Sequence, residues 1–313
     1  MNPALDQPTS HALLRTCHYT KTPMSQIPDN LIARLAPATF VLLWSTGFIG
    51  AKYGLPYAEP LTFLTLRMFF VVLVFLLIVA IVRPKWLTAQ EWLHSAVAGS
   101  LVHVTYLGGV FVAISLGIPS GISALIPGLQ PILTATIANR FMGERVSPLQ
   151  WFGLAMGLVG VALVLQDRHV MSGATAAGWV AAFVSLIGIT LGSLYQKRYC
   201  SQIDWRAGNL AQYIVAGVLF GLGALVFETR VVDWQPQFML ALAWTVIVMS
   251  VAAIGLMYWL IRRVSATQVA SLFYLVPTVT ALMAFALFNE RLDMLAIIGM
   301  VICAAAVFIV NKR

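Results

Sequence analysis

The chain is a long succession of apolar blocks, each about 20 residues long, separated by short polar breaks. An α-helix rises about 1.5 Å per residue, so a block of this length covers a hydrocarbon core roughly 30 Å thick. Because backbone N–H and C=O groups cannot stay unpaired in lipid, such blocks must be helices. With 60% hydrophobic and only 10% charged residues, the composition is that of a membrane protein.

Ten blocks follow one another, and the sequence predicts an all-α membrane protein with ten transmembrane helices. The predicted spans are Leu35–Leu55, Leu61–Val82, Trp92–Ser115, Ser120–Phe141, Pro148–Gln166, Thr175–Gln196, Ala207–Phe227, Phe238–Ile261, Ala266–Phe288 and Leu292–Val310. Residues 1–34 form a polar, proline-containing tail without an apolar core of signal-peptide length, which we expect to be cytoplasmic. Met24 would serve as a start as well as Met1, and the sequence leaves this open.

The basic residues indicate the orientation of the chain. If the N-terminus is cytoplasmic, 14 of the 19 Lys and Arg residues fall on the cytoplasmic side. Four fall outside and Arg67 lies within a span. This bias predicts that both termini are cytoplasmic in a multi-pass inner (plasma) membrane protein. The charges are scattered and never form a stripe, so the net charge of +8 does not indicate a nucleic-acid partner.

Signatures of metal binding and catalysis are missing from the sequence. The three cysteines are far apart and show no metal-ligand spacing, so we expect neither a disulfide framework nor a metal site. The chain contains no GxSxG, HExxH or P-loop motif and no paired aspartates. The sequence therefore predicts a protein that is not an enzyme and needs no cofactor.

The chain also repeats itself internally. Shifted by 146 residues, the segment from Ile118 superposes without a gap on the segment from Val264, and a shift of 145 residues aligns Arg67 with Gln212. The superposed pairs include Pro131 with Pro277, Glu144 with Glu290, and Arg145 with Arg291. We infer two five-helix units, 35–166 and 175–310. Because five is odd, the second unit is inverted relative to the first, an arrangement typical of alternating-access transporters.

A proline near the middle of the fourth span is followed by a GER turn, and the ninth span repeats the pattern in SATQVASLFYLVPTVTALMAFALFNERL. With WSTGF in the first span and LTLRMFF in the second, the chain resembles EamA-type members of the drug/metabolite transporter superfamily from Leu35 to Val310. The resemblance implies a ten-helix bundle. The first four helices of each repeat would form a central cavity, and the fifth and tenth would serve as scaffold. It also implies export of amino acids, related metabolites or drugs.

Two ionisable side chains within the spans are candidate substrate-binding residues. Arg67 lies about six residues inside the outer end of its span, where it either binds a substrate carboxylate or phosphate or extends to the surface. His103 is near the bilayer centre and either titrates near neutrality or simply hydrogen-bonds a neighbouring helix. Tyr106 follows one turn later on the same face. All eleven acids lie in the tail, in loops or at span ends, so no mid-membrane carboxylate exists to carry a proton or bind Na⁺.

Aromatic residues and prolines supply further candidates. Four aromatic residues are candidates: Trp44, Tyr195, Tyr258 and Tyr274. Their rings either line a cavity or face lipid and the membrane interface. Three prolines are expected to bend or break their helices: Pro127, Pro131 and Pro277. Such breaks either expose backbone carbonyls to a substrate or only shape the bundle.

Two further patterns are structural. The pairs Glu144–Arg145 and Glu290–Arg291 are expected to stabilise the turns that enter the next helices. Small residues form a face in the fifth span at Gly153, Gly157 and Gly160, and in the tenth at Gly299, Cys303 and Ala306. Such faces suit either close packing within the scaffold or a homodimer contact.

The leading hypothesis is a secondary transporter, in the exporting direction, for a small metabolite such as an amino acid or a related zwitterion or anion. A facilitative drug or multi-substrate efflux protein is the alternative, and an intramembrane enzyme lacks a catalytic motif. The predicted partners are a small-molecule substrate and the lipid bilayer. For coupling, a facilitator is favoured over a proton path through His103, since one histidine is thin support for such a path.

Overall fold

The computed structural model describes residues 31–118, 123–124, 126–141, 145–164, 175–288 and 294–311. These residues are almost entirely helical, and among them one isolated β-bridge joins Ala58 to Val232. The helices are α1 Leu31–Gly54, α2 Pro60–Val82, α3 Ala89–Ser115, α4 Gln130–Phe141, α5 Pro148–Val164, α6 Ala176–Tyr199, α7 Trp205–Phe227, α8 Pro236–Arg263, α9 Ala266–Leu287 and α10 Met294–Asn311. The predicted all-α membrane class is confirmed.

Seven described helices, α1, α2, α3, α6, α7, α8 and α9, are long and apolar enough to cross a membrane. Shorter apolar helices occur at Pro148–Leu163 in α5 and at Ile297–Asn311 in α10. The fourth predicted span is described mainly from residue 126 onward, because residues 119–122 and 125 lie outside the described part. The predicted total of ten spans therefore stays a prediction.

The predicted boundaries deviate where polar residues begin a helix. We predicted Trp92 as the start of the third span, whereas α3 begins at Ala89. Thr88 and Glu91 form a reciprocal capping box there, which satisfies free amides of the first turn. A search for apolar residues does not detect such a polar start.

π-Helical segments lie within α3 and α8, and 3₁₀ turns lie just before α4 and within α9, at corresponding places of the two repeats. The π-helical segments are Ser100–Gly108 in α3 and Thr245–Ala253 in α8, and their first residues correspond under the shift that aligns Arg67 with Gln212. The first residues of the 3₁₀ turns Pro127–Leu129 and Leu272–Tyr274 correspond under the same shift. Pro131 and Pro277 lack an amide proton, so the carbonyl four residues before each receives no α-helical bond. The regular helix is interrupted at each of these places.

Helices that correspond under this shift pack against each other in opposite directions. The amides of Leu61 and Thr62, at the start of α2, donate to the carboxylate of Glu228 at the end of α7, at 2.7 and 2.6 Å. Gln150, near the start of α5, donates to the carbonyl of Val310 near the end of α10 at 3.1 Å. Both pairs, α2 with α7 and α5 with α10, are therefore antiparallel.

The faces of small residues in α5 and α10 meet within the chain. A Cβ atom added to Gly160 would lie 2.9 Å from the amide nitrogen of Cys303 and 2.9 Å from the carbonyl oxygen of Gly299. One added to Gly153 would lie 3.3 Å from the carbonyl oxygen of Ala306. These faces are thus used for packing between the two helices, and their residues are not free to form a dimer contact.

The turns α1–α2 and α7–α8 are joined at the end of the bundle where α2 begins. The carboxylate of Glu59 accepts bonds from the Thr229 amide at 2.7 Å, the Thr229 hydroxyl at 2.6 Å and the Arg230 amide at 3.2 Å. The amide of Asp233 donates to the carbonyl of Tyr57 at 2.9 Å. Of the predicted turn residues elsewhere, Arg145 is exposed, whereas Glu144, Glu290 and Arg291 lie outside the described residues.

Candidate functional site

Four helices, α1, α2, α3 and α8, enclose a cavity with about 480 Å³ of space unoccupied by protein atoms, part of it continuous with solvent. Its walls are formed by Trp44, Gly47, Phe48, Arg67, Val102, His103, Tyr106, Leu107, Val110, Phe111, Met249 and Ile254. Four of the residues predicted from sequence to bind substrate are therefore brought together: Trp44, Arg67, His103 and Tyr106.

Arg67 is the only cation among the described residues that line this cavity. Its side chain is 4% exposed, and both Nε and Nη2 donate to the hydroxyl oxygen of Ser250, at 3.2 and 3.0 Å. The side chain therefore crosses to α8 and does not extend to the membrane surface. Nowhere in the described part of the chain does a carboxylate form an ion pair with Arg67.

Ser250 is itself held by two further bonds. Its hydroxyl donates to the carbonyl of Thr245, five residues earlier in the π-helical segment, at 3.1 Å. Its own carbonyl accepts the hydroxyl of Tyr213 on α7 at 2.6 Å. Because the hydroxyl proton is already used, the oxygen lone pairs of Ser250 are available to the guanidinium of Arg67.

His103 lies in the π-helical segment of α3, with 3% of its surface exposed. Its ring packs on that of Tyr213, with the centroids 4.7 Å apart. Its Nε2 atom is buried and has no hydrogen-bond partner among the described residues. A buried nitrogen without a partner is costly, so this atom is a candidate for contact with a bound solute or water.

Trp44 and Tyr106 form a second polar pair in the cavity wall. The indole Nε1 of Trp44 donates to the hydroxyl oxygen of Tyr106 at 3.1 Å. The two rings are stacked at 15°, with the centroids 6.2 Å apart. Further aromatic contacts hold Trp44 from Phe40 at 5.1 Å and from Phe273 at 5.3 Å between centroids.

Three predicted binding residues lie elsewhere. The hydroxyl of Tyr195 is 2.8 Å from Nδ1 of His94, and Tyr258 accepts a hydrogen bond from Gln212. Tyr274 is fully buried and donates to the carbonyl of Leu154 at 2.7 Å. None of the three lines the cavity described above. A role for them in binding substrate stays a prediction.

Sequence reasoning did not identify Ser250 and Tyr213. Ser250 is a single hydroxyl in an apolar run and carries no motif. One signal was available, because the shift that aligns Arg67 with Gln212 also aligns Thr105 with Ser250. The Thr105 hydroxyl likewise donates to the carbonyl five residues earlier, that of Ser100, at 3.0 Å. A polar residue kept at the same place in both repeats would have marked this position.

The described carboxylates lie outside the cavity. They occur at helix ends and in turns, at Glu59, Glu91, Asp204, Glu228 and Asp233. Among the described residues, no group of three or more His, Cys, Asp and Glu side chains is placed to hold a metal ion. The cavity is therefore an apolar chamber with one cation, one imidazole and two further hydrogen-bonding rings.

Comparison with known proteins gives consistent matches over nearly the whole chain. The model of the EamA-like transporter family matches residues 32–166 and 176–312. The uncharacterized transporter YvbV of Bacillus subtilis is 25% identical over 93% of this chain and 94% of its own length. The uncharacterized inner membrane transporter YedA of Escherichia coli is 24% identical over 86% of this chain and 87% of its own.

Another relative, an Escherichia coli protein named "Probable amino-acid metabolite efflux pump", is 24% identical over 90% of this chain and 94% of its own length. A solved crystal structure matches with a TM-score of 0.71 at 20% identity, over 88% of this chain and 94% of that chain. At this identity the structural likeness supports the fold alone.

Proposed function

The chain belongs to the EamA-like transporter family, and on this premise we propose that it is a secondary transporter that exports a small metabolite, an amino acid or a related zwitterion or anion. The observation that carries the proposal is the buried guanidinium of Arg67, which lies in the cavity wall without a described ion pair. A buried charge without a counter-charge is costly. An anionic group on the substrate would supply that counter-charge during binding.

The architecture of the proposed transporter is ten transmembrane helices in two inverted units, 35–166 and 175–310. The two segments matched by the family model support this division. So do the antiparallel pairs of corresponding helices and the π-helical segments that begin at corresponding positions of the two units. Exchange between two orientations of such units would expose the cavity to each side of the membrane in turn.

The proposed orientation places both termini in the cytoplasm of a cell with this protein in its inner membrane. The excess of Lys and Arg in the predicted cytoplasmic segments supports it. Export is the proposed direction because one relative of the chain is named as an efflux pump. A homodimer would have to use surfaces other than the small-residue faces of α5 and α10, which are occupied within the chain.

A facilitative multi-substrate efflux protein is the second candidate. The mostly apolar cavity wall favours it, because such walls accept many amphipathic solutes. Cationic drugs fit it poorly, since the described lining residues include a cation and no carboxylate. Catalysis is not part of the proposal, because the family is one of transporters and the sequence has no catalytic motif.

The experiment compares metabolites in the medium of cells that express the wild-type protein, Arg67→Ala, or no protein. Arg140→Gln serves as the matched control, because this arginine is exposed on α4, away from the cavity. We expect at least one zwitterionic or anionic metabolite to accumulate with the wild type and the control and not with Arg67→Ala. Equal accumulation with Arg67→Ala, at equal protein levels, would contradict the proposal.

A further inference from the structure

We propose that the cavity binds an organic carboxylate with an uncharged, apolar body in preference to a zwitterionic amino acid. The proposal rests on the proposed function, because it concerns the same site and narrows the substrate class. It follows from the presence of a cation and the absence of an anion among the described residues that line the cavity.

The carboxylate of such a ligand would meet a cation that is already oriented in the cavity wall. Arg67 is buried and oriented by the oxygen of Ser250, which itself is bonded to the carbonyl of Thr245. A guanidinium presents several donors in one plane and suits a carboxylate better than a flexible ammonium does. In the tautomer that carries its proton on Nε2, the unpartnered nitrogen of His103 in the same wall offers a second donor.

An ammonium group has no such partner among the described residues that line the cavity. None of the described lining residues is a carboxylate, and eight of the twelve have no nitrogen or oxygen in the side chain. The ring of Trp44 already packs on three aromatic neighbours, Phe40, Tyr106 and Phe273, and its contact with Tyr106 is stacked.

Neutral acceptors at Tyr106 and His103 would compensate only part of a buried positive charge. The guanidinium of Arg67 in the same chamber would repel it. A zwitterion therefore gains one ion pair and loses the hydration of its other charge.

The body of the ligand meets apolar surface. Phe48, Val110 and Phe111 line the cavity on the α1 and α3 sides, and Met249 and Ile254 line it on the α8 side. Aromatic and branched aliphatic groups bury well against such walls. The expected ligands are therefore monocarboxylates whose amino group is missing or neutralised by acylation.

The test is a competition experiment on the purified full-length protein in lipid nanodiscs. Radiolabelled 3-phenylpropionate is the probe, and phenylalanine, N-acetylphenylalanine and phenethylamine are the competitors. A second set uses labelled 4-methylpentanoate with leucine and N-acetylleucine. In at least one set, we expect the N-acetylated acid to compete at concentrations about tenfold or more below those of the free amino acid, because the free amino acid buries an unpaired charge. Phenethylamine should not compete.

Variants assign the effect to the cavity. Arg67→Gln should lose probe binding, whereas Arg140→Gln, at an exposed site, should retain it. The proposal is overturned if the free amino acids compete as well as their acylated forms, or if neither labelled acid binds to the wild type.

This result and that of the metabolite experiment are separable. Arg67-dependent export of a free amino acid would leave the transporter function standing and remove the preference for an uncharged body. Selective binding of the acids without Arg67-dependent export would leave the ligand preference standing and contradict the proposed transporter function.

Discussion

Arg67 on α2 and Ser250 on α8 are 183 positions apart in the chain, yet both Nε and Nη2 of the arginine donate to the one hydroxyl oxygen of the serine. The contact joins the two predicted repeats across the cavity. It leaves the arginine buried, oriented and without a described counter-charge.

Ser250→Ala should weaken substrate binding without unfolding the protein. A hydrogen bond to a charged group contributes about 1.5–3 kcal/mol, so the KM for the exported metabolite is expected to rise by about tenfold or more. Ser250→Thr keeps the hydroxyl and should restore much of the affinity. Transport kinetics in proteoliposomes give the KM, and the melting temperature of each variant reports folding. An unchanged KM in Ser250→Ala would show that Arg67 is positioned without the serine.

Coupling of substrate transport to a proton gradient is expected to be weak or absent. The described carboxylates lie at helix ends and in turns, and His103 is the one imidazole among the described residues of the cavity wall. An imposed pH gradient across proteoliposomes should therefore leave the substrate at equilibrium, and His103→Gln should not change the pH dependence of flux. Concentration of substrate by the gradient, lost in His103→Gln, would instead establish proton coupling through this residue.

Topology can be tested at two matched exposed positions, Pro56 and Gln202, in the turns after the corresponding helices α1 and α6. In a background without Cys17, Cys200 and Cys303, a membrane-impermeant thiol reagent added outside should label Pro56→Cys and spare Gln202→Cys. Opening the cells should make Gln202→Cys reactive, which controls for its accessibility. Labelling of both from outside would refute the inverted arrangement. By the same orientation, the turn Gly143–Arg145 is predicted to be cytoplasmic and the turn Asn289–Arg291 to be outside.

Gly160→Ala should destabilise the pair α5 and α10. The added methyl would lie 2.9 Å from backbone atoms of α10, so the helices would have to separate, at a cost of about 1–3 kcal/mol. Gly221→Ala on α7 is the control, because its methyl would meet only a side-chain carbon of Thr65 at 3.7 Å. Thermal unfolding in detergent should show a lower midpoint for Gly160→Ala alone. Equal midpoints would mean that the helices adjust without loss.

Glu59 should contribute to stability in a pH-dependent way. Bonds from the Thr229 hydroxyl and from the amides of Thr229 and Arg230, with the charge of Arg230, lower the pKa of Glu59. Because the folded pKa is lowered, the contribution is present above the unfolded value of about 4.3 and is lost as the pH falls through the folded value.

Thermal unfolding should therefore show Glu59→Gln to be less stable than the wild type at pH 7, with the difference vanishing in acid. The carboxylate is exposed, so the difference is expected to be small. Asp233→Asn, in the partner turn, serves as the control, since in the described structure its carboxylate makes no hydrogen bond. A difference that persists in acid would exclude the ionised carboxylate as its cause.

The sequence predicted the all-α membrane class of the fold, and four of the residues that it marked as binding candidates line one cavity. Apolar length sets the positions of helices because lipid leaves no other structure for such blocks. The cost of a buried charge made Arg67 a candidate, and the structure places it in the cavity. The direction in which each side chain points from its helix was harder to predict. Tyr274 was predicted either to line a cavity or to face lipid and the interface, whereas its ring is buried and packs against Gly157 on α5.

Ser250 escaped prediction for a related reason. Its contact with Arg67 depends on how α2 and α8 are packed, and a single serine in an apolar run carries no trace of that packing. Its bond to Thr245 depends in addition on the π-helical turn, which no residue type in the run requires.

The π-helical segments of α3 and α8 have a consequence for helical phase. A π-helical turn holds more residues than an α-helical turn, and each extra residue rotates the remainder of the helix by about 100° around its axis. In α8 this rotation arises between Thr245 and Ala253, and it sets the direction in which Tyr258 and the last turns point relative to the first. An insertion or deletion in this segment of a related chain would thus rotate the rest of the helix about its axis. The rotated helix would present different side chains to the cavity, even with the rest of its sequence unchanged.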